Sequence, residues 1–291
     1  MNIPEKEFIH LVECPRDAMQ GWKTFIPTLK KIEYINALLQ VGFDTLDFGS
    51  FVSPKAIPQM ADTKDVLEGL ILSTDTKLLA IVANVRGAEE ACEYEEITSL
   101  GFPFSVSETF QKRNTNSTIG ESFKTVEIIH EKCLLKGKQL VVYLSMAFGN
   151  PYGDDYSNEI VFHWAQKLAT LAIPVVSLAD TVGLATPAQV RTLTDFLIEQ
   201  LPMTEVGVHL HSTPYNSKEK TEAALDAGCK RFDSALKGIG GCPMANDILV
   251  GNMDTENMIS LFQEKNMIRP LNTEALHKAS VLANEIFAPV K

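Results

Sequence analysis

The 291-residue sequence predicts an α/β fold, a closed (β/α)8 TIM barrel with extra C-terminal helices. Eight short apolar, β-rich runs alternate with longer segments in which apolar residues recur at i, i+3 and i+4. Such alternation predicts a parallel sheet. An open doubly wound sheet is the alternative, but it would normally carry a glycine-rich phosphate turn after its first strand, and VECPRDAMQG (12–21) is not one.

The predicted elements follow one another along almost the whole chain. In order, the strands are FIHLVEC (8–14), TLDFGSF (45–51), LLAIVAN (78–84), FPFSVS (102–107), LVVYLS (140–145), PVVSLAD (174–180), EVGVHLH (205–211) and RFDSAL (231–236). The helical segments between them are 27–41, 63–72, 88–100, 120–136, 157–171, 187–200 and 215–228. Residues 253–291 predict one or two helices that cover the barrel, so we expect residues 1–291 to form one catalytic domain.

Several residues mark where the predicted helices begin and end. Ser157 is an expected N-cap, and so is Thr186, which precedes Pro187 at the first helical position. Helices are expected to end where glycine follows a helical pattern, because glycine adopts positive φ easily. These glycines are Gly42, Gly101, Gly137 and Gly228.

Composition excludes several classes of function. The net charge is −11 and no basic cluster stands out, which argues against a nucleic-acid partner. No apolar run reaches the roughly 18–20 residues of a membrane span, and residues 1–10 lack a signal-peptide apolar region. The five cysteines are scattered without a C-x-x-C pair, which argues against a disulfide framework or a structural zinc site. We therefore expect a cytoplasmic protein with no membrane partner.

Polar and charged residues collect where the predicted strands end, which is where barrel enzymes place their catalytic groups. The residues at these ends are Arg16, Asp17, Ser50, Lys55, Ser107, Glu108, Ser145, Asp180, Thr181, His209 and His211. The two histidines are two residues apart, so on a strand both imidazoles point to one face and can converge on a metal ion. The alternative is a pair of packed histidines that hydrogen-bond to the backbone. The loop 238–252 is glycine-rich and lacks the lysine of a P-loop, and it carries Cys242, a thiol able to act as a general acid or base.

Five motifs resemble those of one enzyme family over about residues 8–285. They are PRDAMQ (15–20), SFVSPKAIPQM (50–60), SLADTVGLATP (177–187), VGVHLH (206–211) and GIGGCP (238–243). The chain resembles 3-hydroxy-3-methylglutaryl-CoA lyase, of the metal-dependent barrel lyase and acyltransferase superfamily. The resemblance implies cleavage of that acyl-CoA to acetoacetate and acetyl-CoA, and a homodimer.

The resemblance also implies a role for each candidate residue. A divalent ion, Mg²⁺ or Mn²⁺, would be held by Asp17, His209, His211 and Asn252. Arg16 would stabilise the enolate oxygen, and Cys242 and Asp180 would transfer protons. The implied substrate-binding residues are Gln20, Ser50, Lys55, Ser107 and Ser145, with Lys55 contacting the acyl-CoA.

Two departures from the related pattern touch the expected site. Relatives write VEVGPRD, with glutamate four residues before the arginine, where this chain has Val12. Glu13 comes one residue late and is expected on the opposite strand face unless the strand bulges. Relatives also write His-Cys-His-Asp, whereas Ser212 follows His211 here, a change expected to alter metal affinity rather than abolish it.

Rival functions remain open at this level. A Claisen-type synthase joining acetyl-CoA to a 2-keto acid would share the metal site, but such enzymes usually have long C-terminal extensions. A lyase on a related acyl-CoA, an aldolase acting without CoA and a catalytically inactive barrel that binds metal or acyl-CoA are further alternatives. A hydrolase is disfavoured because the chain has no G-x-S-x-G elbow and no H-E-x-x-H motif.

Overall fold

A closed barrel of eight parallel strands forms the centre of the protein. The computed structural model describes residues 8–240 and 250–288. The barrel strands are β1 (His10–Glu13), β2 (Thr45–Ser50), β3 (Lys77–Ile81), β4 (Ile97–Ser105), β5 (Gln139–Ser145), β6 (Val175–Ala179), β7 (Glu205–His209) and β9 (Arg231–Ser234). They pair in chain order, and β1 closes the ring against β9 with Leu11 opposite Phe232. The predicted barrel is therefore confirmed.

Helices surround the barrel. They are α1 (Pro15–Gln20), α2 (Thr28–Leu39), α3 (Thr63–Glu68), α4 (Val85–Cys92), α5 (Glu108–Thr115), α6 (Ile119–Leu135), α7 (Asn158–Thr170), α8 (Pro187–Gln200), α9 (Ser217–Asp226), α10 (Thr255–Glu264) and α11 (Thr273–Ile286). Both expected N-caps are confirmed: Ser157 accepts a hydrogen bond from the backbone N–H of Ile160, and Thr186 forms a capping box with Gln189. None of the described helices has the length and apolar character needed to cross a membrane.

The predicted helix over 88–100 is wrong in its second half, and so is the stop at Gly101. Helix α4 ends at Cys92, and β4 begins at Ile97. Gly101 lies within β4, where a Cβ atom would come 2.5 Å from Cδ1 of Ile81 and 2.9 Å from Cε2 of Tyr143. The glycine serves close packing inside the barrel rather than a helix end.

Two short strands outside the barrel were not predicted. The run 205–211 divides after His209, because β8 (His211–Ser212) leaves the barrel and pairs antiparallel with β10 (Gly251–Asn252). In this pair Asn252 lies opposite His211. The C-terminal end of the glycine-rich loop, at residues 251–252, is thereby fixed beside β7.

Helices α10 and α11 lie in the segment 253–291, where the sequence predicts one or two helices. Phe287, just after α11, packs edge-to-face on Trp22 and Tyr34. The C-terminal segment therefore packs against α2 and the loop that precedes it.

Candidate active site and metal centre

A cavity of about 870 Å³, including space open to solvent at its mouth, lies at the carboxyl ends of the barrel strands. Its polar wall contains Arg16, Asp17, Gln20, Asn114, Tyr143, Ser145, Thr181, His209 and His211. Its apolar wall contains Val52, Ala56, Ile57, Ile81, Ala83, Pro103, Phe110 and Ala179. A pocket with a large apolar wall and a few convergent polar groups is typical of a small-molecule site.

Asp17, His209 and His211 converge on one point of this cavity. One ligand atom from each lies within 4.8 Å of the others, and the two imidazole centroids are 5.4 Å apart. Asp17 comes from α1 just after β1, whereas the histidines come from the end of β7 and from β8. Two nitrogens and a carboxylate oxygen at this spacing form a possible metal-binding cluster.

Asn252 adjoins this cluster from β10. Its Nδ2 donates hydrogen bonds to Oδ2 of Asp17 at 2.7 Å and to the Ile239 carbonyl at 3.0 Å. With the amide nitrogen engaged in this way, the side-chain carbonyl oxygen remains available to a cation. Gly240 approaches so closely that a Cβ there would lie 2.3 Å from Nδ2 of Asn252.

The protonation states fit a cation site. Burial alone would raise the pKa of Asp17, but Arg16 and both histidines lower it to about 2, so its carboxylate is ionised. Burial and the neighbouring His209 lower the pKa of His211 to about 4, so its imidazole is neutral, as a metal ligand requires. The donor set therefore suits a divalent ion.

His209 is oriented by Asp233, a residue that the sequence reading missed. Nδ1 of His209 lies 3.2 Å from Oδ2 of Asp233 at the centre of the barrel. Burial would lower the pKa of His209, but the hydrogen bond and charge of Asp233 raise it above its ordinary value. A carboxylate behind one imidazole nitrogen leaves the other nitrogen directed toward an ion. An acidic residue inside the buried run RFDSAL was the available signal.

Arg16 is held by a second missed carboxylate. Its Nε lies 3.0 Å from Oδ2 of Asp47, and its Nη1 lies 3.0 Å from Oδ1 of Asp17. Burial would lower the pKa of Arg16, but Asp47 and Asp17 hold it above its ordinary value. Burial raises the pKa of Asp47 to about 6 against the effect of Arg16. The sequence also carried a signal for Asp47, because this acidic residue stands inside the strand TLDFGSF, whose other residues are uncharged.

Asp180 lies in a buried ion pair rather than on the cavity wall. Its Oδ2 accepts a hydrogen bond from Nζ of Lys220 at 2.8 Å, and its Oδ1 accepts one from the Ala185 N–H at 3.1 Å. Lys220 also donates to the His211 carbonyl at 2.7 Å. Burial raises the pKa of Asp180 despite Lys220. The pair therefore supports the backbone of β8 from behind.

The expected substrate residues divide into two groups. Gln20 and Ser145 line the cavity, and Gln20 also donates to Oδ1 of Asp17 at 2.6 Å. Ser50, Lys55 and Ser107 are not among the cavity-lining residues. Ser50 is buried and accepts a hydrogen bond from the Val52 N–H, whereas Lys55 is exposed beside the cavity-lining Ala56.

Ser107 has a structural partner that explains its position. It caps α5 by accepting from the Phe110 N–H, and its hydroxyl donates to Oδ2 of Asp154 at 2.5 Å. Asp154 also accepts from the backbone and side chain of Thr109. The serine therefore fixes the loop after β5 to the start of α5.

Two further expected features concern Glu13 and Cys242. Glu13 lies on the face of β1 that the sequence predicts, away from the cavity. It accepts hydrogen bonds from the Leu236 N–H and the Thr255 hydroxyl, and burial raises its pKa to about 8. Cys242 lies outside the described residues.

Comparison with known proteins places these residues in a family context. The HMGL-like family model matches residues 10–282. Mitochondrial hydroxymethylglutaryl-CoA lyase of Mus musculus is 33% identical over 274 residues, covering 93% of this chain and 83% of the relative. Hydroxymethylglutaryl-CoA lyase of Bacillus subtilis is 32% identical over 280 residues, covering 96% of this chain and 93% of the relative.

Solved structures agree in fold over nearly the whole chain. The crystal structure of the Bacillus subtilis HMG-CoA lyase superposes with a TM-score of 0.90 at 31% identity, covering 99% of this chain and 97% of that one. An HMG-CoA lyase from Acinetobacter baumannii, in complex with coenzyme A and 3-methylmalate, gives a TM-score of 0.88 at 32% identity. It covers 96% of this chain and 91% of that one.

Proposed function

The chain belongs to the HMGL-like family, and from this membership we infer a carbon–carbon lyase that cleaves 3-hydroxy-3-methylglutaryl-CoA to acetoacetate and acetyl-CoA. One observation carries the assignment to this cavity: Arg16 and the cluster of Asp17, His209 and His211 share one wall. The reaction needs a cation beside the hydroxyl-bearing carbon and a second positive group beside the thioester. This wall offers both positions.

We propose that Asp17, His209, His211 and Asn252 hold Mg²⁺ or Mn²⁺. The ionised carboxylate, the neutral His211 imidazole and the free amide oxygen of Asn252 support this assignment. When bound, such an ion supplies a Lewis acid that lowers the pKa of a substrate hydroxyl. Asp233 fixes the ring of His209, and Gln20 fixes the carboxylate of Asp17. The chain thus holds its ligands in place before the substrate arrives.

Arg16 is the proposed stabiliser of the enolate. Cleavage of the C2–C3 bond leaves negative charge on the thioester oxygen of the acetyl-CoA fragment. The guanidinium lines the cavity, and its contacts with Asp47 and Asp17 leave N–H groups on Nη1 and Nη2 for that oxygen. Because two carboxylates fix the guanidinium, little reorganisation is needed as charge develops.

Proton transfer is proposed for Cys242 and Asp180. The C3 hydroxyl must lose a proton before the carbon–carbon bond breaks, and the enolate carbon must gain one afterwards. Asp180 is not among the residues that line the cavity, so this carboxylate acts on substrate only through an intervening water or a movement of its side chain. Cys242, in the glycine-rich segment 238–252 of the sequence, is the second proposed group.

The acyl-CoA is proposed to extend along the apolar wall toward the solvent. Val52, Ala56 and Ile57 offer apolar contacts there, and the exposed Lys55 stands beside them for an anionic part of coenzyme A. Ser145 and Gln20 are the polar groups for the acyl end. The homodimer and the cytoplasmic location stay predictions, which light scattering and cell fractionation would test.

The function is tested by a product assay. The purified protein is mixed with Mg²⁺ or Mn²⁺, a thiol reductant and 3-hydroxy-3-methylglutaryl-CoA, and acetoacetate and acetyl-CoA are measured. Turnover should vanish on chelation and in Arg16→Met, while Arg191→Met, at an exposed arginine on α8 paired with Asp226, should keep full activity. A folded protein that binds the ion and gives no product would contradict the assignment. Related acyl-CoAs and 2-keto acids would then be tried.

A further inference from the structure

A second group of ligand atoms shares His209 with the cluster of Asp17, His209 and His211. One atom each from Cys14, His209 and Asp233 lies within 4.8 Å of the others. Cys14 is fully buried between β1 and α1, and its only described hydrogen-bond acceptor is the Val12 carbonyl, 3.9 Å from the sulfur. The thiol is therefore weakly engaged at the centre of the barrel.

Two buried polar atoms at this point find no partner among the described residues. They are Oδ1 of Asp233 and the hydroxyl oxygen of Tyr143, whose residues are only 2% and 7% exposed. Tyr143 packs edge-to-face on His209, with ring centroids 5.5 Å apart. A buried polar atom without a partner costs about 1–3 kcal/mol, so the group is arranged for a bound species.

The charges at this point favour a cation. Burial and the carboxylates of Asp233, Asp47 and Asp17 raise the pKa of the Cys14 thiol against the positive charge of Arg16, and these same carboxylates would attract a cation. Sulfur, imidazole nitrogen and carboxylate oxygen together select a thiophilic ion such as Zn²⁺ or Co²⁺. Mg²⁺ prefers oxygen ligands and binds thiolate sulfur poorly. The two groups of ligands therefore differ in the ions that they select.

We propose that Cys14, His209 and Asp233 form a second site, for a thiophilic divalent ion, on the Nδ1 side of His209. Binding forms bonds from sulfur, Nδ1 and a carboxylate oxygen to the ion. It releases the thiol proton to solvent, the ring proton of His209 moves from Nδ1 to Nε2 so that the imidazole stays neutral, and no electron is transferred. His209 lines the cavity, which provides the route of entry.

Occupation of this site opposes the proposed reaction. Nδ1 of His209 now contacts Asp233, and that contact keeps the ring in place for the catalytic ion. An ion bound at Nδ1 would replace this contact, so Asp233 would no longer hold the ring in place for the catalytic ion. Excess Zn²⁺ should therefore inhibit turnover through Cys14. This consequence rests on the proposed function, whereas the binding of the ion does not.

The binding is tested with Co²⁺, because a thiolate bound to Co²⁺ gives a near-ultraviolet charge-transfer band that needs no turnover. All proteins carry Cys242→Ser, so the loop thiol does not contribute. The parent should show the band on titration with Co²⁺, and Cys14→Ser should lose it. His211→Ala should keep it, because His211 belongs only to the first cluster. An unchanged band in Cys14→Ser, or no band in the parent, would overturn the proposal.

Cys14→Gly provides a second variant should the serine protein fail to fold, since the related pattern VEVGPRD has glycine there. It should also lose the band. In the protein that keeps Cys242, Cys14→Gly alone should keep its turnover with Mg²⁺. Crystals soaked in Zn²⁺ should give an anomalous peak at Sγ of Cys14 in the parent and none in Cys14→Gly. If the parent binds Co²⁺ through Cys14 but the wild-type protein, which keeps Cys242, cleaves no acyl-CoA, only the proposed function is contradicted.

Discussion

Glu13 makes the stability of this protein depend on pH in a direction opposite to that of an ordinary glutamate. Its carboxyl is fully buried, with Oε1 2.9 Å from the Leu236 nitrogen and Oε2 2.5 Å from the Thr255 hydroxyl. Burial raises its pKa from 4.5 to about 8. Because the folded-state pKa lies above the unfolded value, the neutral acid is favoured in the fold. The stabilisation is complete below pH 4.5 and is lost as the pH rises through 8.

The magnitude follows from the pKa difference. Each pH unit between the two values removes about 1.4 kcal/mol, which amounts to less than about 1 kcal/mol at pH 5 and about 3 kcal/mol at pH 7. Glu13→Gln keeps an acceptor for the Leu236 N–H and supplies a donor to Thr255, which can then donate to Ser234, 2.9 Å away. The variant should therefore unfold at higher urea concentration than the wild type at pH 7.

The assay is urea unfolding of both proteins in a chelator at pH 5, 6, 7 and 8. The gap in the free energy of unfolding should widen by about 2–3 kcal/mol between pH 5 and pH 7. Glu33→Gln, at a half-exposed glutamate paired with Lys30 on α2, is the matched control and should change stability by less than about 1 kcal/mol. Parallel pH curves for the wild type and Glu13→Gln would refute the reasoning.

Two further substitutions probe the supports behind the site. Asp233→Asn should weaken Mn²⁺ binding by about 10- to 100-fold, because His209 loses the charge that orients it; calorimetry would measure this, and unchanged affinity would exclude that role. Lys220→Met should destabilise the fold by about 3–5 kcal/mol, because it leaves Asp180 as an unpaired buried charge. Adding Asp180→Asn to Lys220→Met should restore most of that loss in urea unfolding. A double variant as unstable as Lys220→Met would show that the unpaired charge of Asp180 does not cause the loss of stability.

The barrel could be read from the sequence because each strand is a short buried run bounded by a helical pattern. The error over 88–100 has a physical cause: in ITSLG (97–101) the apolar residues are three apart and a glycine follows them, which is also the pattern of a helix end. The packing of Gly101 against Ile81 and Tyr143 depends on neighbouring strands that are distant in sequence. Local pattern carries no information about such contacts.

In the candidate site too, some residues could be predicted from local pattern, whereas others depend on contacts between distant strands. Residues at strand ends, such as Asp17 and His209, could be predicted because a barrel brings all those ends together. Asp47 and Asp233 sit within strands, and only the closed ring shows that they face Arg16 and His209. Ser107 had the right position and a different task, since its hydroxyl is committed to Asp154.

The hydrogen bond between Asn252 and Asp17 joins side chains 235 residues apart. Asp17 follows β1 and Asn252 follows β9, so both side chains lie near the seam at which the first and last strands of the barrel meet. During synthesis, Asp17 leaves the ribosome long before Asn252 exists. The complete ligand set therefore arises only after Asn252 has been translated and the ring has closed. An ion bound there would stabilise only the closed barrel, because an incomplete chain lacks the full set of ligands.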